Sequence, residues 1–397
     1  MEVTDVQYKE SEIGVIPVDW NVKKISDFSK PVRGGSPRPA GSPLYFNGDY
    51  IPWLTVAALT NISSSQLFVS ETEGFLTQLG SEYSRTLEKD TLIIANSGAT
   101  LGVAKLLAIK CCANDGIAAL NNFSREVDKA YVVYYINSIT QKLREVVATG
   151  NGQPNLNTTL IGDLRIPLPP TKSEQTAIAT ALSDTDALIE NLEKLIAKKR
   201  NIKQGVMQEL LTGRKRLAGF NGEWMKIKLG DICDIRKGQL ITEKTAAGGE
   251  FPVIAGGINP SYFHNRPNRG KNTITISASG ANAGYVSFHR NPIFASDCST
   301  IEEKGTFNIV YIFFLLQLFQ KKIFKLQTGG AQPHVYPEHL KPLELVFPQE
   351  VTEQDAIANI LIDIDEELSG LEKQMNKYQL IKQGMMQTLL TGKIRLV

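Results

Sequence analysis

The sequence predicts an α+β protein in which two β-rich domains are separated by two long antiparallel helices that form an intramolecular coiled coil. Three observations carry this expectation. A segment of about 50 residues occurs twice in nearly the same form, each copy contains a heptad-like apolar stripe, and the rest of each half consists of short strand-like runs broken by glycine pairs.

The repeat organises the chain. Residues 168–217 align without gaps to residues 347–396, with about 25 of roughly 50 positions identical. Glu174-Gln175-x-Ala177-Ile178-Ala179 meets Glu353-Gln354-x-Ala356-Ile357-Ala358, and Ile202-Lys203-Gln204-Gly205 meets Ile381-Lys382-Gln383-Gly384. Leu210-Leu211-Thr212-Gly213 likewise meets Leu389-Leu390-Thr391-Gly392. Just upstream, Thr149-Gly150-x-x-Gln153-Pro154 matches Thr328-Gly329-x-x-Gln332-Pro333. Further upstream the similarity thins to ordered points such as Trp20 with Trp224, and Ser97-Gly98 with Ser279-Gly280. Four successive parts follow: a first variable domain over 1–167, a helical spacer over 168–215, a second variable domain over 216–346 and a second spacer over 347–397.

Each spacer reads as one helix of about 38 residues. Ser173 and Thr352 suit N-caps, Glu174 and Glu353 suit the positive helix start, and Gly213 and Gly392 suit the glycine stop. The apolar stripe runs through Leu188, Leu192, Leu195, Ile202, Val206 and Leu210 in the first copy. In the second it runs through Ile357, Leu361, Ile364, Leu368, Leu371, Met375, Tyr378, Ile381, Met385 and Leu389. A rod of roughly 57 Å must bury such a stripe, and the other copy is the economical partner. A plain dimerisation coil is the alternative reading of the helices taken alone.

The variable halves alternate like β proteins. Residues 91–95 and 273–277 read as strands, while Gly34-Gly35, Gly48-Asp49, Gly248-Gly249 and Gly256-Gly257 punctuate the chain. Near the end of each half stands an apolar helix candidate, 130–147 and 308–326. The run 310–319 is about half the roughly 20 residues needed to cross a bilayer, so it reads as a buried helix.

Composition narrows the function. The 397 residues carry 43 Lys plus Arg against 41 Asp plus Glu, a formal net charge of +2, so any polyanion-binding surface must be a local patch. Cys111, Cys112, Cys233 and Cys298 form no C-x-x-C pair, which fits a reducing cytoplasm. The first twenty residues lack the basic start and apolar core of a secretory signal, so a cytoplasmic location without a membrane is expected.

No catalytic or cofactor motif emerges, and no metal site is expected. Asn259-Pro260-Ser261-Tyr262 resembles a base-holding loop of amino-methyltransferases but lacks the second proline and an upstream glycine-rich loop, so it reads as a turn. Asp297 with Glu302-x-Lys304 resembles a nuclease carboxylate set in composition only, and reads as surface charge. Gly270-Lys271-Asn272 and Gly392-Lys393-Ile394 lack the flanks of a phosphate loop. His264, His289, His334 and His339 have no partners in the first half.

Polar loops at matched places are more informative, because Arg, Lys, Ser, Asn and Gln bind phosphates and read base edges. In the first half these are Arg33, Ser36 and Arg38, then Asn96, Ser97 and Thr100, then Asn151, Gln153 and Asn155. In the second they are Arg236, Lys237 and Gln239, then Arg266, Arg269 and Lys271, then Ser279 and Asn282, and finally Gln332 and His334. Each alone reads better as a solvated turn. Clustered at matched places they predict a DNA-binding surface in each half.

The order of parts resembles the specificity subunits of type I restriction-modification systems. The likeness lies in Ile16-Pro17-x-x-Trp20 and Trp224-x-x-x-x-Leu229-Gly230-Asp231 opening the halves, and in twin segments ending Lys-Gln-Gly-x-Met-Gln-x-Leu-Leu-Thr-Gly. The resemblance implies two target-recognition domains that read a bipartite double-stranded DNA site, with the helices as ruler and docking surface for two methyltransferase subunits. It further implies that S-adenosylmethionine, ATP and Mg belong to partners, including restriction subunits, with no cofactor in this chain. Unlike domains on alike helices suit an asymmetric target, and a 57 Å rod spans roughly 17 base pairs at most. The rivals are a bifunctional methyltransferase with fused recognition domains and a structural coiled-coil protein with no DNA role.

Overall fold

The computed structural model describes residues 7–98, 100–147 and 155–396. The chain forms two compact units, and they do not follow chain order. The first contains residues 1–194 and 372–397, and the second contains residues 195–371. The four successive parts expected from the repeat are therefore combined: each unit holds one β-rich domain with a segment of each long helix.

The long helices run over Lys172–Leu210 and Val351–Leu389, 39 residues each. Within the first unit Lys382 pairs with Asp186 at 2.6 Å and the Thr185 hydroxyl lies 3.5 Å from the Met385 sulfur. Within the second, Lys199 pairs with Glu367 at 2.7 Å and Lys203 with Asp365 at 2.6 Å. Rising numbers on one helix meet falling numbers on the other, so the segments are antiparallel in both units.

The start of the first helix lies slightly upstream of the predicted cap. Thr171, not Ser173, accepts the Glu174 amide on its hydroxyl, at 3.3 Å. The stops are as expected: Gly213 and Gly392 adopt φ of 69° and 70°, the left-handed conformation that ends a helix at little cost to glycine alone.

The first helix buries only part of the stripe that the spacing predicts, whereas the second keeps every predicted residue except the exposed Ile381 at least half-buried. Leu192, Leu210, Ile357, Leu361, Leu368 and Leu389 are buried, while Val206, Ile364, Leu371, Met375, Tyr378 and Met385 are half-buried. Leu188, Leu195 and Ile202 stand exposed, and Ile178, Leu182, Ile189, Ile196 and Met207 are buried instead. The first helix carries apolar residues on two adjacent stripes. Periodicity admits either, and only packing against the domain and the facing helix selects one.

The two domains share one strand plan. In the first unit a sheet runs in the order Lys30–Arg33, Ile117–Asn121, Leu92–Ala95, Ala104–Leu107, Phe68–Val69. In the second the matching sheet runs Cys233–Lys237, Cys298–Glu303, Thr273–Ser277, Val286–His289. A second sheet follows in each, with Phe46–Leu54 parallel to Cys111–Ala113 and Phe251–Ile254 parallel to Phe294–Ala295. A two-stranded ribbon joins domain start to domain end: Asn21–Lys24 with Arg165–Leu168, and Trp224–Lys228 with Glu344–Pro348.

Strands Leu92–Ala95 and Thr273–Ser277 are buried at every residue, so they are covered on both faces rather than on one. In the first unit one face, with Leu92 and Ile94, joins the core around Trp20 and Tyr131, and the other, with Ile93 and Ala95, joins a second core around Leu54 and Ile117. The apolar helices are shorter than the candidates: Lys129–Ser138 and Ile309–Leu318 each end in a break and a further short turn. No helix among the described residues is long and apolar enough to cross a membrane.

Candidate nucleic-acid interface

The near-identical helix sequences are explained by three ties that each unit makes in the same way. Glu174 and Glu353 do not sit at the helix start as free dipole partners. They are buried and hold arginines that follow the other helix: Arg395 with Glu174, and Arg216 Nε with Glu353 at 2.6 Å. Each arginine also lies over a tryptophan ring, Arg395 over Trp20 at 5.8 Å and Arg216 over Trp224 at 5.7 Å. Gln175 and Gln354, both buried, accept the backbone N–H of Asp128 and Asn308 at 2.8 and 2.9 Å. Asp128 and Asn308 in turn cap the domain helices, accepting the amides of Tyr131 and Tyr311. The Glu-Gln pair therefore locks each long helix to its domain, which is why both copies retain it.

The polar loops form a different pattern: the same backbone with different side chains. Gly34 and Gly238 end the first strand of each large sheet, and their amides bond to the Ile117 and Cys298 carbonyls at 2.8 Å. A Cβ on Gly34 would lie 2.1 Å from the Asn114 oxygen, and one on Gly238 would lie 2.1 Å from the Ser296 oxygen, so only glycine allows this approach. Asp115 and Asp297 follow those two residues. Their carbonyls accept from equivalent places, the Asn96 side-chain amide at 3.2 Å and the Ala278 amide at 3.1 Å.

Around this frame the sequence-predicted residues gather. In the first unit Ser36 donates to Asp115 Oδ1 at 2.7 Å, Arg33 Nε donates to the Asp115 carbonyl at 2.6 Å, and Arg38 extends into solvent 3.8 Å from Asp115 Oδ2. The Ser36 hydroxyl, followed by the nearby Arg33 and Arg38, holds the Asp115 carboxyl below the usual range against an opposing cost of burial. Asn96 is buried and Ser97 and Thr100 are half-buried at the end of the central strand, where the Asn96 carbonyl accepts the Leu156 amide at 2.8 Å. Asn155 lies beside that contact, with its side-chain oxygen buried and unpaired. Asn151 and Gln153 fall outside the described residues.

In the second unit Lys237, Gln239, Arg266, Lys271 and Gln332 are exposed. Arg236 is exposed but leans on Asp234, and Glu302 stands 4.0 Å away. Ser279 donates to Asp297, Asn282 turns the chain beneath it, and His334 pairs its backbone with Thr328 and Ser279 while its ring stacks on Tyr336 at 5.6 Å. Arg269 is turned into the domain, where it bonds Thr300 Oγ1 at 2.8 Å, the Asn268 carbonyl at 2.8 Å and the Lys237 carbonyl at 3.0 Å. Of the four predicted loop groups of this half, those of Lys237, Ser279 and His334 meet at the end of the central strand that Ser277 closes, whereas Lys271 precedes its start at Thr273.

Sequence reasoning missed several members of these surfaces. Tyr83, exposed and 5.4 Å from Tyr45, precedes Ser84 and Arg85, which bond Gly35 and Arg33. Leu240 and Ile258 are exposed beside the second cluster. Asp115 was passed over and Asp297 was read as surface charge, although both occupy the same place behind a strand and one residue past a carbonyl on glycine. The Glu302 once grouped with Asp297 points elsewhere, 3.5 Å from Arg269. Asn259 and Pro260 lie in the connection before strand Tyr262–His264, as an ordinary turn requires. Among the described residues no three His, Cys, Asp or Glu side chains are gathered to hold a metal.

The chain matches the family described as the type I restriction modification DNA specificity domain over residues 17–199 and again over 221–382. The chain belongs to that family. It carries two copies of the specificity domain, each reaching from a variable domain into a long helix.

Some relatives align along nearly the whole chain. The MjaVIII specificity subunit of a type I restriction enzyme from Methanocaldococcus jannaschii is 24% identical over 436 residues, covering 98% of this chain and 96% of that one. The MjaIX specificity subunit of the same organism is 24% identical over 434 residues, covering 98% and 97%. The crystal structure of a type I system S subunit from M. genitalium superposes with a TM-score of 0.69 at 19% identity, covering 98% of each chain. A chain from a structure of type I system assembly and conformational transition superposes with a TM-score of 0.55 at 14% identity. These structural likenesses match the α+β fold with two domains and two long helices.

Proposed function

We propose that this specificity subunit is itself non-catalytic and reads a bipartite, asymmetric double-stranded DNA site, one half with each unit. The observation that carries this is the contrast between the ties and the loops. Glu174, Gln175 and Arg395 recur as Glu353, Gln354 and Arg216 with the same partners. At the strand ends the frame recurs while the side chains differ, Ser36 and Arg38 in one unit against Leu240 and Thr242 in the other. A conserved frame with unlike side chains suits two unlike half-sites.

Two methyltransferase subunits dock on the helices in this reading, with restriction subunits in the larger assembly. Exposed apolar residues support it: Leu188, Leu195 and Ile202 lie along one side of the first helix, and Leu380 and Ile381 are exposed on the second. Gly205 and Gly384 add to it. They stand inside long helices with open space above them, where alanine would be better by about 1 kcal/mol, so close approach of a partner explains them better than the fold does. S-adenosylmethionine, ATP and Mg are held by those partners, and the assembly works in the cytoplasm.

The test is methyl transfer and gel shift with the full chain, alone and with its methyltransferase partners. The chain alone is expected to leave DNA unmethylated when given S-adenosylmethionine, and to form a specific complex once the partners are added. Methyl transfer by the isolated chain would overturn the division of labour. Exchanging residues 15–165 should change one half of the recognised site only, and a change in both halves would overturn modular reading.

A further inference from the structure

A carboxylate at the centre of a surface meant for phosphates is anomalous, because it repels the ligand that its neighbours attract. Both units nevertheless place one there. Asp115 and Asp297 each follow the residue whose carbonyl rests on the frame glycine, and each accepts a serine hydroxyl. The serines come from different loops: Ser36 lies two residues past Gly34, whereas Ser279 lies two residues past the end of the central strand Thr273–Ser277. The carboxylate position is thus kept while its donor has moved, so the donors serve the carboxylates rather than the reverse.

The fold leaves part of each carboxylate open. Asp115 Oδ1 takes the Ser36 hydroxyl, while Oδ2 takes no hydrogen bond among the described residues and has Arg33 and Arg38 3.8 Å away. In Asp297 the serine occupies Oδ2, and Oδ1 takes no hydrogen bond among the described residues. Both side chains are partly exposed. An ionised carboxylate only accepts hydrogen bonds, and in the major groove the donors on base edges are the exocyclic amino groups, cytosine N4 and adenine N6.

We infer that Asp115 and Asp297 are specificity-determining acceptors, each taking a hydrogen bond from the exocyclic amino group of one base in the half-site read by its unit. This rests on the loop clusters being the DNA surface. The arginines and serines set the orientation of the open oxygen, and the carboxylate excludes bases that present a carbonyl at that point, such as guanine O6 and thymine O4.

The experiment selects bound duplexes from a library randomised in both half-sites, using the full chain assembled with methyltransferase partners, for the parent, Asp115→Asn and Asp297→Asn. Asparagine keeps an acceptor for the serine, so a purely structural role predicts an unchanged base profile. The inference predicts that each variant relaxes or alters one base position in one half-site, with discrimination there falling about tenfold and the other positions kept. An unchanged profile, or uniform weakening with no position altered, overturns it. Arg38→Ala and Lys271→Ala separate the two readings. If these weaken binding while the asparagine variants keep the parent profile, only the acceptor role fails; if none of the four has any effect, the loop surface itself is wrong. Asp115→Ala and Asp297→Ala, checked for parental melting, provide a second variant at each site.

Discussion

Lys382 places its ammonium 2.6 Å from the carboxylate of Asp186, and the aligned residues Lys203 and Asp365 make the same 2.6 Å contact in the other unit. The pairs are alike in geometry and unlike in setting. Each lysine lies over an aromatic ring, Tyr134 or Phe314, but Asp186 is buried and also accepts the Tyr134 hydroxyl at 2.8 Å, whereas the Asp365 side chain is about a third exposed. Removing one partner of a buried pair costs about 3–5 kcal/mol, and of an exposed pair about 0–1 kcal/mol. Asp186→Ala should therefore destabilise its unit clearly more than Asp365→Ala destabilises the other, as read by urea unfolding of the full chain. Equal losses would contradict the difference in burial.

The arginine ties give a sharper contrast. Glu353 is fully buried and Arg216 grips it through two nitrogens, at 2.6 and 2.7 Å. Arg216→Ala leaves that carboxylate unpaired and should cost about 3–5 kcal/mol. Replacing both partners with apolar residues, Arg216→Met with Glu353→Leu, should recover most of the loss in the same unfolding measurement.

Lys105 supplies a pH dependence. Its side chain is buried and donates to the Ser63 carbonyl at 2.9 Å, and burial, then the nearby Lys382, lower its pKa from 10.5 to about 8. A depressed folded pKa means that the fold prefers the neutral amine. That contribution is full above pH 10.5 and is lost as pH falls through about 8. Relative to Lys105→Met, the parent should gain stability, of order 3 kcal/mol, between pH 8 and 10.5. Melting curves of both proteins across that range check it, and a constant difference would count against it.

At the frame glycines the expectation is steric. Gly34→Ala and Gly238→Ala put a methyl group 2.1 Å from a backbone oxygen and should each cost about 1–3 kcal/mol or displace the loop. Gly35→Ala meets nothing closer than 3.6 Å and should be nearly silent. DNA binding by the Gly34 and Gly35 variants, alongside their melting temperatures, separates loop displacement from global loss.

For Gly205 and Gly384 the signs of two effects should oppose. Alanine at either place should raise stability by about 1 kcal/mol, while leucine should leave the fold intact and weaken capture of the methyltransferase partner in pull-down. Leucine variants that assemble normally would remove the glycines from the docking surface.

The sequence by itself determined the architecture, because duplication is visible at the residue level. Two copies of Glu-Gln, Lys-Gln-Gly and Leu-Leu-Thr-Gly, the glycine stops, and the length of the helices required no coordinates. It also located the polar loops, since Gly34 and Gly238 mark strand ends in any β-rich reading. Only the tertiary structure decided which of two apolar stripes the first helix buries, that Thr171 caps it, that Glu174 holds Arg395 rather than the helix dipole, and that Arg269 and Asn96 turn inward. The cap is a local choice between neighbouring hydroxyls, and the physical reason is common to the other three. Periodicity and spacing record which side chains share a face, but burial and pairing depend on what another segment, far away in the chain, brings to that face. Asp115 and Asp297 show it most plainly: nothing local distinguishes them from other loop carboxylates until a glycine, a carbonyl and a serine from distant positions close around them.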